Sequence, residues 1–560
     1  MPQRLLIFIL SLGLLLNACG KPQQAPSPEG PLAVTQDFFA DHALVVVKVT
    51  SNDPRTLQEL AISFEPIEFQ AEAGYLLLDL SYEDFSALSQ RKAELGIALE
   101  IIEESTLAQS ALFQDESLLT SLLSSQSISG YSCYRSVEET YQSARQMVTS
   151  YPQLAAWQDV GDSWRKRAGQ GGYDLFVLKL TNRAITGNKP KVFITSAIHA
   201  REYTTAELMT RFAEYLLSQY GKDADVTWML DSQEVHLMLQ ANPDGRKQAE
   251  KGIYWRKNDN RNYCASSFKG ADLNRNFDFL WNQGGSSANT CSEIYRGPSP
   301  ASEPETQAVQ NYLRSIFPDK RNDDQTSAAP SNYRGLYLDI HSSGELVLWP
   351  WGHTQNLAPN ASALQRLGRK FAYFNGYHPE QSVGLYPTSG TTDDFAYGRL
   401  GVPAFTFELG TAFFESCVSF ERNIIPSNTD ALLYALRVAR APYRLPAGPD
   451  SLNLTLSSIN NNRITLSARL DDSRYNNSNG QEVSQNIRLA RYYLDIAPWQ
   501  RGNTPLMMQA SDGSFNAKSE NVMASIDLSR LSQGRHTVYV RGQDSAGNWD
   551  SVSAIFLEVD

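Results

Sequence analysis

"SAIHAREYTTAELM", Ser196 to Met209, begins where the apolar run "KVFITSA" ends, and it leads into apolar residues at helical spacing, Leu208, Phe212, Tyr215 and Leu216. A short β-rich run followed at once by a helical period predicts a strand-to-helix corner, the repeating unit of an α/β fold. His199 and Glu202 sit at that corner. Two ionisable residues three apart also turn up on solvated helix faces, so the pair alone is a weak signal. A corner between two regular elements is nevertheless rigid enough for ligation.

Outward from that corner the same arrangement recurs. "EVHLMLQ" runs into Asn242, "YLDI" into His341, and "AFTFE" ends on Glu408. Open α/β sheets bind ligands outside the carboxyl ends of their strands, so His199, Glu202, His341 and Glu408 are expected to converge. Two histidines and one carboxylate leave a fourth tetrahedral position open, the arrangement of a catalytic zinc site. His236 lies inside a strand pattern and is expected in the core. His42, His353, His378 and His536 have no comparable setting and are expected to be structural or on the surface.

The chain of 560 residues is long enough for several domains. A formal charge of -12 with no basic tail excludes the electrostatic footprint of a nucleic-acid binder. The apolar run from Leu5 to Leu16 behind Arg4 is too short for a comfortable membrane span and fits an export signal, residues 1–18. Its ending, Leu16-Asn17-Ala18-Cys19, resembles a bacterial lipoprotein signal. That implies a cell-envelope address with lipid on Cys19 as membrane anchor, in the outer membrane if the cell is Gram-negative; ordinary secretion is the alternative. Export favours oxidised cysteines. Cys133, Cys264, Cys291 and Cys417 allow three pairings. Cys264 with Cys291 is favoured, closing a short surface loop worth about 3 kcal/mol, which leaves Cys133 for Cys417.

Residues 19–31 read as a Pro- and Gln-rich tether, 32–105 as a small α+β domain, and 106–130 as a Ser- and Leu-rich connector. The large α/β domain spans 131–445. From 449 to 560, short period-2 runs such as "RITLSARL" and "HTVYVRGQD" predict an Ig-like β-sandwich. Calcium at acidic turns such as "RLDDSRYNNSNG" is weakly signalled.

Across most of 131–444 the sequence resembles the zinc metallocarboxypeptidases of the carboxypeptidase A and B type. "HARE" matches the first two zinc ligands, "LDIHSSGELVLWPWG" the third, "YWRKN" supplies Arg256, "DLNRNFDF" supplies Asn274 and Arg275, and "YPTSGTTDDFAYG" with "FTFELG" supplies Tyr386 and Glu408. The resemblance implies a mixed sheet with helices on both faces and one zinc ion on His199, Glu202 and His341. It implies Glu408 as general base, Arg256 against the charge developing on the scissile carbonyl, and Asn274, Arg275 and Tyr386 gripping a free terminal carboxylate. Asp272 would orient His199, and Arg201 would add charge in outer subsites. Asp393 falls at the base of the pocket for the departing side chain, where members selecting Lys or Arg carry an acidic residue. The substrate implied is a peptide or protein C-terminus, with basic end residues preferred. Peptidoglycan stem peptides, and an inactive envelope binding protein, are the competing readings. The segment 32–105 resembles the family's prosegment, yet no Lys or Arg occurs between Lys92 and Arg135, so trypsin-like cleavage has no site in the connector.

Overall fold

A computed structural model of the chain describes residues 45–64, 66, 68–70, 73–80, 82–102, 127–264 and 269–560. The expected signal, Cys19, the tether, His42 and most of the connector lie outside the described residues. Among the described residues, no helix is long and apolar enough to cross a membrane.

An eight-stranded mixed sheet carries the largest core. Its strands are β5 (Ala155–Asp162), β6 (Asp174–Leu180), β7 (Lys191–Ser196), β8 (Glu234–Met238), β9 (Leu336–His341), β10 (Leu346–Trp349), β11 (His378–Gln381) and β12 (Ala404–Glu408), in the order β11-β10-β12-β9-β7-β8-β6-β5. β12, β9, β7 and β8 run parallel, while β10, β6 and β5 join by antiparallel pairing. Parallel strands covered on both faces read as continuous apolar runs. Accordingly every residue of β9 is buried, as is every residue of β7 after Lys191. The chain leaves β7 for β8 on one side and later returns to β9 on the other, so a crevice opens at the carboxyl ends of β7 and β9.

Ahead of this sheet, β1 (Val45–Ser51), β2 (Glu68–Gln70), β3 (Tyr75–Leu80) and β4 (Ile97–Ile101) form an antiparallel sheet in the order β2-β3-β1-β4. Helices α1 (Pro54–Phe64) and α2 (Tyr82–Leu95) pack on it, and Val45, Val47, Leu57, Leu76 and Leu78 fill the core between them. In the large domain α3 (Val137–Ser150) starts on a reciprocal capping box: Ser136 accepts from Glu139 N, and Glu139 accepts from Ser136 N. The helix predicted after Glu202 is α4 (Tyr203–Gln219). α5 (Ala224–Ser232), α6 (Pro304–Ile316), α7 (Ala361–Asn375), α8 (Thr392–Leu400) and α9 (Ile425–Val438) complete its main helices.

Two disulfides join Cys264 to Cys291 and Cys133 to Cys417. Beyond Asp450 the strands β13 (Asp450–Leu456), β14 (Arg463–Asp471), β15 (Ile487–Leu494), β16 (Leu506–Ala510), β17 (Ser519–Asp527), β18 (Gly534–Asp544) and β19 (Ser553–Val559) pair antiparallel. β16 bonds to β15 through Leu506 to Met508 and to β17 through Gln509 and Ala510. It thereby links two groups of strands whose alternate residues, Leu466 and Val522 from one and Ala490, Val538 and Leu557 from the other, share one core.

Candidate active site

Strand register builds the floor of the site. β12 pairs Glu408 with His341 and Thr406 with Asp339; β10 sets Leu346 beside Glu408 and Leu348 beside Thr406; β11 sets His378 and Glu380 beside those leucines. Side chains alternate along a strand with period two, so both rows face the same way. His199 follows β7 in a loop pinned by two bonds, from Ala197 N to Thr205 Oγ1 (3.0 Å) and from Ala200 N to Arg256 O (3.0 Å).

The three ligand candidates meet in the crevice. His199 Nδ1 lies 2.7 Å from Glu202 Oε1, and His341 Nδ1 lies 3.0 Å from His199 Nδ1 and 3.3 Å from Glu202 Oε2. On their far sides the rings are tied to carboxylates: His199 Nε2 to Asp272 Oδ1 at 3.2 Å and His341 Nε2 to Asp339 Oδ2 at 2.9 Å. Protons held on Nε2 by those carboxylates leave both Nδ1 lone pairs pointing inward. Glu202 Oε2 is buried without a hydrogen-bond donor. Two lone pairs and a carboxylate crowding one point repel one another unless a cation sits among them. Burial opposes charge on His341, yet Asp339 and Glu202 hold its pKa well above the ordinary value. This surplus of negative charge, with two imidazoles and one carboxylate as donors, fits zinc. Among the described residues this is the one group of three such side chains able to hold a metal ion.

A cavity of about 620 Å³ surrounds the triad, lined also by Arg256, Asn274, Arg275, Tyr386, Asp393 and Glu408. Asp272, behind it, accepts from Arg256 Nε and Nη2 at 3.2 and 3.0 Å. Burial would raise the Asp272 pKa, but the Arg256 and Arg275 charges hold it well below the carboxylate range. Asn274 accepts from Thr392 N at 2.9 Å, with its Nδ2 3.4 Å from His341 Nε2. Arg275 donates through Nε to Gly285 O and through Nη1 to Asn274 O, and its guanidinium lies 5.9 Å from the Tyr386 ring. Gly390, at φ +72°, brings the loop ahead of α8 against that arginine; a Cβ there would sit 2.5 Å from Arg275 O. Asp393 is buried, accepting from Ser382 Oγ at 2.9 Å and Thr391 Oγ1 at 2.7 Å. Its pKa is raised to about 6, by burial first and the Asp394 charge second.

Arg201 is the exception among the expected residues. It is fully buried, its guanidinium 4.2 Å from the Phe413 ring and 3.8 Å from Glu293, and it does not line the cavity. His236 is a core residue, 2.6 Å from Tyr312 OH. Two residues escaped the sequence reading. Asp339 accepts from Thr195 and Thr392 hydroxyls, each at 2.6 Å, as well as meeting His341; the signal for it was the D-x-H spacing, which puts both side chains on one face of a strand. Glu380 joins the same face from β11, and no sequence signal marked it. The N-terminal unit reaches the site as well, since Pro54, Gln58 and Pro66 line the same cavity.

The zinc carboxypeptidase family model matches residues 140–433. Carboxypeptidase A1 of Rattus norvegicus is 28% identical over 375 residues, covering 63% of this chain and 82% of that protein. A zinc carboxypeptidase of Saccharothrix mutabilis subsp. capreolus is 32% identical over 291 residues, 50% of this chain and 63% of its own length. Among solved structures, the carboxypeptidase A of Helicoverpa armigera shares the fold with a TM-score of 0.55 at 21% identity, covering 72% of this chain and 98% of that one.

Proposed function

The chain belongs to the zinc carboxypeptidase family and is a metallocarboxypeptidase acting on C-terminal peptide bonds; from that premise we propose that it releases C-terminal Lys or Arg in preference to apolar residues. Support comes from one observation above all: a buried carboxylate, Asp393, lines the same cavity as the His199, Glu202 and His341 cluster. A buried carboxylate facing an apolar side chain is costly, whereas a cationic one satisfies it.

His199, Glu202 and His341 hold the metal in this reading, and zinc, when bound, supplies Lewis acidity to water and to the scissile carbonyl. Glu408, at the end of β12 beside His341, takes a proton from the attacking water and returns it to the departing amine. Arg256, held through Nε and Nη2 by Asp272, faces the oxygen on which negative charge develops. Asn274, Arg275 and Tyr386 bind the free terminal carboxylate, Arg275 by its planar fork.

The test is a panel of short peptides ending in Arg, Lys or Phe, each with a free or an amidated C-terminus. Release of the last residue is expected only from free carboxylates and fastest for the basic ones. Glu408→Gln is expected to retain zinc and lose at least about 10²-fold in kcat. A variant that keeps full activity removes Glu408 from the reaction, and amides cleaved as fast as acids remove the exopeptidase reading.

A further inference from the structure

Two carboxylates in the cavity lie outside the set just described, Glu345, which is exposed, and Glu380, which is partly buried. Glu380 sits on edge strand β11, where pairing puts it beside Leu348, which is itself beside Thr406; all three line the cavity. It is partly buried, and among the described residues its carboxylate accepts no hydrogen bond. Burial raises its pKa above the ordinary carboxylate value, with no neighbouring charge opposing the shift.

The backbone makes room for this carboxylate. A Cβ on Gly384 would collide with Glu380 Oε2 and stand 3.1 Å from its Cδ. Gly384 lines the cavity too, so the bare glycine leaves the space that the carboxylate occupies. Ser382 connects the two acids, which are 13 residues apart in the chain. Its hydroxyl donates to Asp393 at 2.9 Å, and it follows Glu380 by two residues, so the Cα atoms of Ser382 and Glu380 are at most about 7 Å apart.

Resting on the basic preference proposed above, we infer that Glu380 is a second specificity-determining carboxylate, which with Asp393 selects a C-terminal arginine over a lysine. Asp393 already spends acceptor capacity on Thr391 and Ser382. An ammonium brings three donors from one point and is served by a single carboxylate. A guanidinium brings five donors in a rigid fork. Taken into a cavity, it is satisfied when one acid meets its end and another its edge.

The experiment measures kcat/KM of the full-length chain and its variants on hippuryl-Arg, hippuryl-Lys and hippuryl-Phe. In Glu380→Gln the Arg-to-Lys ratio is expected to fall about tenfold, the effect of one charge-assisted hydrogen bond, with hippuryl-Phe unchanged. Gly384→Ala keeps the charge but displaces the carboxylate, and the ratio is expected to move the same way. An unchanged ratio in either variant overturns the role of Glu380, and so does an equal loss on Arg and Lys. In both of those outcomes a wild-type preference for Arg and Lys over Phe leaves the Asp393 reading standing. A wild type that hydrolyses all three equally overturns the basic preference itself, and this inference with it.

Discussion

If the proposed basic preference rests on a single carboxyl group, Asp393, the selector is titratable. Its pKa near 6, set by burial and then by Asp394, means that most of its charge is present at neutral pH and is lost as the pH falls through about 6. The ratio of kcat/KM for C-terminal Arg over Phe is therefore expected to drop across that range. In Asp393→Leu the ratio is expected to favour Phe and to lose its pH dependence. A flat wild-type ratio between pH 5 and 8 removes Asp393 as the selector. Arg201 shows the opposite condition, a charge with no access: sealed against the Phe413 ring, it reaches a substrate only if that ring moves. Its position in the "HARE" run made it look exposed to the cleft, because a sequence gives the order of residues and not the depth of each.

Strand β9 illustrates how one element serves two purposes. Its apolar residues bury it, and its alternation aims Asp339 and His341 at the same face, where Asp339 fixes the imidazole from behind. Asp339→Asn keeps the volume but loses the negative charge, so zinc affinity is expected to weaken roughly 10- to 100-fold, measured by competition with a chelator. Unaltered affinity means that Thr195 and Thr392 suffice to orient the ring. The strand ends that meet at the triad were legible in the sequence because β7, β9 and β12 are apolar runs stopped by a polar residue. Asp339 was marked only by its D-x-H spacing, and an acid inside a buried strand makes sense only once its hydroxyl partners from β7 and α8 are in place. β11, "HPEQ", has no apolar alternation and contains Pro379, which an edge strand tolerates. Glu380 was hidden with it. The three-residue β2 was likewise too short to leave a period.

For the whole molecule, the join between the catalytic domain and the C-terminal strands is built from charge taken out of water. Lys370 on α7 is fully buried, 3.0 Å from Asp450 at the start of β13 and 4.5 Å from the Tyr475 ring. Arg369 reaches across to Asn479 O, and Arg437 with Asp225 meets Ser553 and Ala554 on β19. Removing one member of a buried pair strands the other, so Lys370→Met is expected to destabilise the chain by about 3 kcal/mol in urea unfolding, with zinc affinity intact; an unchanged midpoint shows that Arg474, 3.2 Å from Asp450, carries that contact alone. The disulfide between Cys133 and Cys417 acts at the same scale. It turns residues 133–417, which include every ligand and substrate-binding candidate, into a covalent ring from which the N-terminal unit hangs outside by backbone alone. A protease that nicks the ring leaves one molecule, still closed around its site and split only by reduction. A protease that cuts before Cys133 yields two molecules at once, and the piece that lends Pro54, Gln58 and Pro66 to the cavity is no longer covalently joined to it.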